Sequence, residues 1–163
     1  TQMSDEQMRE IYGNYSRDIT TPYSGNAEDL NRYLKGKGVL SGQGQAFIDA
    51  QNKYGISAAV LAGIAISESG GTSSLARKRF NVTSISSSRG WRRFNNVSEC
   101  IDYTASMLAN RYVKNSGLSG VSLKTLYQIN AKYCPVSDTR NNSSNNRFWA
   151  QNVENKVREI EKA

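Results

Sequence analysis

Apolar and polar positions recur at helical spacing along most of the chain. Ser4-Asp-Glu-Gln7 has the make-up of a capping box and predicts a helix to about Tyr15. Thr20 to Gly25 reads as a loop. Asn26 can then cap a short helix carrying Leu30, Tyr33 and Leu34. Gly36, Gly38, Gly42 and Gly44 punctuate the next connection. A helix from about Gln43 to Tyr54 groups Ala46, Phe47 and Ala50, and Gly55 ends it. Ser57 caps a further helix, Ala58 to about Ser69. Val60, Leu61, Ile64, Ala65 and Ile66, with small residues between them, leave it almost no polar face. A helix that is apolar all round is a buried central helix.

Residues 70 to 96 lose this periodicity and are rich in Ser, Gly, Asn and Arg. Val82 to Ile85 and Trp91 to Phe94 are expected as short strands of a small β-lobe. Helical spacing returns from about Ser98 to Val113, with Ile101, Ala105, Leu108 and Tyr112 in register. Ser122 is expected to open a helix from Leu123 to about Lys132, which Tyr133-Cys-Pro135 stops. Asp138 to Asn146 reads as a polar loop, and Phe148 to about Lys162 as the last helix. The pattern implies a mainly α (α+β) fold with one domain over residues 26–163. Residues 1–25 are expected as an N-terminal arm or linker.

The 163 residues, 37% hydrophobic with 13 glycines, suffice for one core. The longest apolar run, Ala58 to Ile66, is too short to span a membrane. The chain starts at Thr1 without Met, as a fragment of a longer protein does. Its two cysteines, Cys100 and Cys134, are too few for a disulfide scaffold or a structural zinc site, and are expected as buried thiols. No histidine is present, which excludes Ser-His-Asp and Cys-His catalysis and His-ligated metals. Carboxylates, phenols or amides must carry any chemistry. The net charge of +7 is local: Arg77, Lys78, Arg79, Arg89, Arg92 and Arg93 fall between Ser69 and Ser98 with no acid among them. Such a segment suits an anionic polymer or a solvated surface. No nucleic-acid motif accompanies it.

Glu68 is the sole ionisable residue of the apolar helix. Burial and the negative end of the helix dipole both favour its neutral form, as a general acid near neutrality requires. The alternative is a helix-end glutamate facing water. Ser69-Gly-Gly-Thr-Ser73 follows, a small-residue turn that a ligand could approach closely.

The order of these features resembles a lysozyme-like glycosidase: helical part, Glu, small β-lobe, helical part. More closely, the chain from about Asn26 to Ile160 resembles the bacterial and phage glucosaminidases of glycoside hydrolase family 73. Gly38-Val-Leu-Ser-Gly-Gln-Gly-Gln-Ala-Phe-Ile48 is similar to the family's Leu-x-Gly-x-Gly-x-x-Phe opening. Ala65-Ile-Ser-Glu-Ser-Gly-Gly-Thr-Ser73 is similar to its catalytic Glu-Ser/Thr-Gly-x-Gly-Thr-Ser, and Phe80 to Ile85 to its Asn-Asn-Leu-Phe-Gly-Ile. Phe94 to Tyr103, Tyr133 to Asp138 and Trp149 to Val153 follow its remaining segments in order. Three departures stand out. Gly70-Gly71 is one residue shorter than Gly-x-Gly, Phe80 replaces the first Asn, and Thr83-Ser84 replaces Phe-Gly.

The resemblance implies an endo-β-N-acetylglucosaminidase that hydrolyses the β-1,4 bond after N-acetylglucosamine in peptidoglycan, with Glu68 protonating the leaving oxygen. Two partners for Glu68 stay open. Glu99 matches an acidic position of the family and could serve as base in a two-carboxylate site, or simply favour the first turn of a helix. Tyr133 matches a family tyrosine and could orient water or the substrate's own 2-acetamido group in a substrate-assisted route, or pack in the core. Asn81, Ser69, Thr72, Trp91, Phe94 and Arg79 are the expected substrate-binding residues. No metal or cofactor is expected. The expected partners are the peptidoglycan glycan strand and anionic wall polymers, with no nucleic acid, by a monomer that is secreted, wall-associated or part of a virion tail or lysis system. Muramidase or lytic transglycosylase activity, or a non-catalytic wall-binding domain, are the alternatives.

Overall fold

The computed structural model describes residues 3–114, 122–136 and 146–163. Its helices are α1 (Asp5–Tyr12), α2 (Ala27–Leu34), α3 (Gly44–Tyr54), α4 (Ala58–Ser69), α5 (Ser74–Arg79), α6 (Val97–Met107), α7 (Leu126–Tyr133) and α8 (Trp149–Lys162). A 3-10 turn, Gly38–Leu40, precedes α3, and α6 runs on into a π-helical turn, Leu108–Lys114. Strands β1 (Ser86–Ser87) and β2 (Gly90–Trp91) form an antiparallel hairpin in register Ser86 with Trp91 and Ser87 with Gly90.

The caps act as the sequence implies. Ser4 and Gln7 form the reciprocal capping box of α1, and Asn26 accepts the N–H of Asp29 at α2. Ser57 accepts the N–H of Val60 at α4. Ala58 through Ala65 of α4 are all buried, so this helix is the centre of the core. Helix α8 crosses it closely. A Cβ at Gly63 would lie 3.1 Å from Val157 Cγ2 and 3.3 Å from Val153 O, so glycine lets the two helices approach.

Four expectations change. The strands expected at Val82–Ile85 and Trp91–Phe94 form instead at Ser86–Ser87 and Gly90–Trp91, because side-chain hydrogen bonds from Asn81 fix the preceding turn. Helix α5 was not expected: Ser73 caps it through the N–H of Ala76, but six residues show little periodicity. Helix α7 starts at Leu126 rather than Leu123, with Thr125 and Gln128 making its capping box. Residues 3–25 are no detached arm. Tyr12 and Ile19 are buried, Ile19 in the main core, and Ile19 bonds Lys124 O and Ser57 N through its backbone. Arg17 grips α8 with Nε and Nη2 donating to Glu154 at 2.8 and 2.9 Å. Residues 137–145, most of the expected polar loop, lie outside the described residues.

Candidate active site

A cleft of about 720 Å³ opens between the β-lobe and the helices. One wall is Ser84 to Ser87, Gly90 and Trp91; the other comes from Tyr103, Tyr112, Tyr133 and Trp149. Glu68 enters it from the last turn of α4. Trp149, on the first residue of α8, donates Nε1–H to Glu68 Oε1 at 3.2 Å. Ser84 lines the same cleft beside Glu68. Burial raises the pKa of Glu68 above the ordinary glutamate value, and the polar Ser84 and Trp149 side chains beside it offset part of the rise. The net effect keeps a proton on Glu68 to higher pH, the state a general acid needs.

Tyr133 stands beside it. Its ring lies 5.3 Å from that of Trp149 and 6.1 Å from that of Tyr112. Burial first, and then the nearby Glu68 charge, push its phenol well above the ordinary tyrosine range. It is therefore a proton-bearing donor at neutral pH. Its hydroxyl reaches only a long contact, 3.5 Å, to Thr83 O, which leaves hydrogen-bonding capacity toward the cleft. Ser67 Oγ, also at the cleft, has no hydrogen-bond partner among the described residues.

The other expected residues separate into two groups. Trp91 lines the cleft and is 48% exposed, as a sugar platform would be. The remainder build the site from behind. Asn81 is fully buried, and three of its four hydrogen-bonding valences hold the lobe: Nδ2 donates to Ile85 O and Arg92 O at 2.8 and 2.9 Å, and Oδ1 accepts from Ile85 N at 2.9 Å. With both N–H donors committed to backbone carbonyls and no exposed surface, it clamps the lobe in this structure. Ser69 Oγ donates toward Ala65 O and Val82 O and accepts from Gly71 N, tying the end of α4 to the lobe. Phe94 is buried, packed against the Tyr103 ring at 5.7 Å. Arg79 supports β2 from outside, with Nη1 donating to Trp91 O at 3.2 Å. Thr72 is exposed and lines no part of the cleft.

Glu99 does not join Glu68. It is exposed in the first turn of α6 and accepts the backbone N–H of Asn95 at 3.3 Å. Among the described residues, Glu68 is the only acid lining the cleft. The six basic residues of the 69–98 segment also stay off it. Arg92 lies over the Tyr103 ring at 4.3 Å, and Arg93 donates to Lys78 O. The cation that does line the cleft is Arg111, on the π-helical turn.

The turn after Glu68 is shaped by its own backbone rather than for a ligand. Gly70 and Gly71 both have positive φ, 62° and 77°. A Cβ on Gly71 would sit 2.0 Å from Lys37 O, and Gly71 O accepts the N–H of Val39 at 2.9 Å. The small residues thus let this turn dock on the 3-10 turn Gly38–Leu40. Sequence reasoning missed Trp149, Ser84, Tyr112 and Arg111 as site residues. Two of them offered a signal: Trp149 opens a segment that follows the family pattern, and Ser84 stands where that pattern has Gly.

Residues 44–162 match the family described as mannosyl-glycoprotein endo-beta-N-acetylglucosaminidase, Glucosaminidase. The chain is 37% identical over 100 residues to the bifunctional autolysin of Staphylococcus epidermidis, covering 60% of this chain and 8% of that protein. It is 35% identical over 107 residues to the bifunctional autolysin of Staphylococcus aureus strain Mu50, covering 64% and 9%. The chain thus spans less than a tenth of the length of these curated relatives. Among solved structures, a catalytic mutant of S. aureus Autolysin E in complex with the disaccharide NAG-NAM aligns with a TM-score of 0.73 at 20% identity, over 99% of this chain and 80% of that one. The structure described as Major Bifunctional Autolysin aligns with a TM-score of 0.56 at 25% identity, over 95% and 74%. The matched span takes in Glu68, the β-lobe and the Tyr133–Trp149 wall, and by that match the chain belongs to the Glucosaminidase family.

Proposed function

We propose that this chain is a peptidoglycan hydrolase, an endo-β-N-acetylglucosaminidase that cleaves the β-1,4 bond after N-acetylglucosamine, with Glu68 as the general acid. The observation that carries the reading is Glu68 itself. It is a carboxyl whose pKa burial raises above the ordinary glutamate value, at a cleft walled by aromatic rings, in a chain of the Glucosaminidase family. The NAG-NAM disaccharide held by the aligned Autolysin E structure is the chemical class this cleft is proposed to take.

In this reading a glycan strand lies along the cleft with sugar faces on Trp91. The protonated Glu68 gives its proton to the glycosidic oxygen as positive charge develops on the anomeric carbon. No second carboxyl lines the cleft among the described residues. That favours the 2-acetamido oxygen of the substrate as the group that meets the anomeric carbon, with the Tyr133 hydroxyl orienting it. The ionised Glu68 would then take a proton from the incoming water. We place the protein outside the cytoplasm or at the wall, where this polymer lies; no helix among the described residues is long and apolar enough to cross a membrane.

The test is product analysis on purified peptidoglycan. Digested strands are reduced with borohydride and read by mass spectrometry. Reduced N-acetylglucosamine ends are expected. Reduced muramic acid ends or anhydromuramic ends would replace this assignment with muramidase or lytic transglycosylase action. No new ends at all would leave a wall-binding domain.

A further inference from the structure

Glu68 and Trp149 meet at a hydrogen bond whose chemistry is one-sided. The indole Nε1–H donates to Glu68 Oε1 at 3.2 Å. An indole N–H can only donate, and the carbonyl oxygen of a protonated carboxyl is a far better acceptor than its hydroxyl oxygen. While Glu68 is protonated, Oε1 is therefore the carbonyl oxygen and the proton sits on Oε2.

The donor is seated for this contact. Trp149 is buried, and its ring packs on Tyr133 with centroids 5.3 Å apart. It is the first residue of α8, whose N-cap, Phe148, makes no side-chain bond to the helix. A fully buried side chain from α7 supplies that bond instead. Asn130 Oδ1 accepts the N–H of Ala150 at 2.9 Å, and Nδ2 donates to Cys134 O and Asn146 O at 3.0 and 2.9 Å. One amide thus ties the end of α7, where Tyr133 stands, to the start of α8. A satisfied buried network of this kind rigidifies what it holds, and here it holds the residue that carries the indole.

We propose that Trp149 is a positioning residue for Glu68: its N–H, seated by Asn130 at the start of α8, holds Oε1 and so fixes Oε2 as the oxygen that carries and delivers the proton. The proposal rests on the general-acid reading of Glu68 above. In the reaction the Oε2–H bond breaks and its proton goes to the glycosidic oxygen, which keeps the electron pair of the breaking bond to the anomeric carbon. The carboxylate left behind keeps the indole bond, now charge-assisted.

A donor to the ionised carboxyl favours ionisation, so removing the indole N–H raises the pKa of Glu68 further. A general acid fails as pH rises through its own pKa, so the alkaline limb of activity moves to higher pH. The other titratable and charged groups facing the cleft are Tyr103 on α6, Arg111 and Tyr112 on the π-helical turn, and Tyr133 and Cys134 at the end of α7. Burial is the largest influence on Glu68, and Ser84 and Trp149 work against it.

The experiment compares the wild-type chain with Trp149→Phe, which keeps a ring against Tyr133 and loses the N–H. Rates on purified glycan are measured across about pH 4 to 9, at a temperature where both chains are folded. The alkaline limb of Trp149→Phe is expected about half a unit or more above that of wild type. Its kcat should fall several-fold with KM within about twofold. Two further measurements leave Trp149 in place. Its indole N–H resonance, one of two in the chain, is titrated by NMR in wild type and in Glu68→Gln. It should move with pH in wild type, with a midpoint at the alkaline limb, and stay still in Glu68→Gln. Neutron diffraction from deuterated crystals held below that midpoint should place the carboxyl deuteron on the oxygen away from the indole. An unmoved alkaline limb, a wild-type indole resonance indifferent to pH, or a deuteron on the indole-side oxygen would overturn the proposal. If the wild-type chain releases no reducing ends, the hydrolase reading fails, and the resonance and the deuteron still decide the Trp149–Glu68 link.

Discussion

Replacing Glu68 with Gln separates the catalytic from the structural consequences of burying a carboxyl. The amide has the same shape. Its oxygen can keep the 3.2 Å bond from Trp149 Nε1, so packing is preserved. The proton donor is lost, and general-acid catalysis is worth roughly 10²–10⁴ in rate. Hydrolysis, followed as reducing-sugar release from purified glycan, should fall by about that factor. The opposite effect is expected on stability. The folded-state pKa of Glu68 lies above its unfolded value. The folded protein therefore binds this proton more tightly than the unfolded chain does. The benefit is complete below the unfolded value, about 4.3, and is lost as pH rises through the folded value. Above that, the buried carboxylate costs about 1.4 kcal/mol for each unit by which the folded value is raised. Gln carries no such cost. The stability of Glu68→Gln relative to wild type should be level across acid pH and climb between the two values. In a chain of this size each kcal/mol moves the melting temperature by roughly 2–4 °C. Denaturant unfolding of both proteins at a series of pH values reads the curve. A difference independent of pH would refute the burial argument, and activity within tenfold of wild type would refute the role as acid.

Asn81→Ala should unfold at lower denaturant by roughly 2–4 kcal/mol, since it orphans Ile85 N, Ile85 O and Arg92 O in a buried turn; a raised KM with unchanged stability would instead mean a sugar contact. Trp91→Ala should leave stability within about 0.5 kcal/mol, because the ring is 48% exposed, while KM for long glycan rises roughly two- to tenfold as a stacking face is lost. Glu99→Gln should keep kcat within about twofold and cost less than about 1 kcal/mol by weakening the start of α6, because the side chain is exposed and bonds only the local backbone; an inactive, folded Glu99→Gln would restore the two-carboxylate mechanism. Arg17→Ala should destabilise by roughly 2 kcal/mol, less than a fully buried pair because Arg158 still holds Glu154; no change in unfolding would return residues 3–25 to the status of an arm.

Much of the fold was legible because the signals are local. Ser4, Asn26 and Ser57 cap the helices they announce, and the apolar run of α4 proved to be the buried centre. Local signals fail where long-range partners decide. Asn81 reads equally as sugar ligand or clamp until Ile85 and Arg92 are placed around it. Trp149 lies 81 residues from Glu68 in sequence, and only the crossing of α8 on α4 brings its indole to the carboxyl. Glu99 matched an acidic position in the sequence pattern, yet the first turn of α6 uses that carboxylate for its own backbone. Long-range placement also decides what the basic segment does. Its residues do not line the cleft, and Arg79, Arg92 and Arg93 hold β2, the lobe's aromatic rings and the end of α5.

Two departures from the family pattern gain a common meaning in the structure. Phe80 stands where the pattern has Asn and Ser84 where it has Gly, and these two are the non-glycine residues with positive φ among those described, at 53° and 58°. Asn and Gly are the residues that enter this region most easily. The backbone at both positions is thus of the kind that the pattern's Asn and Gly suit, and in this chain each costly conformation needs an offset. Phe80 closes α5 at its left-handed cap and packs its ring, partly buried, against the main core. Apolar burial of that kind is of the size needed to cover a single left-handed residue. Ser84 has no such packing to draw on, since it faces the cleft. Its turn is held by its neighbours: Asn81 bonds both Ile85 N and Ile85 O, and Thr83 Oγ1 meets Thr104 Oγ1 at 2.8 Å. The first conformation is thus offset by the residue's own packing, and the second by the bonds of the residues on either side of it.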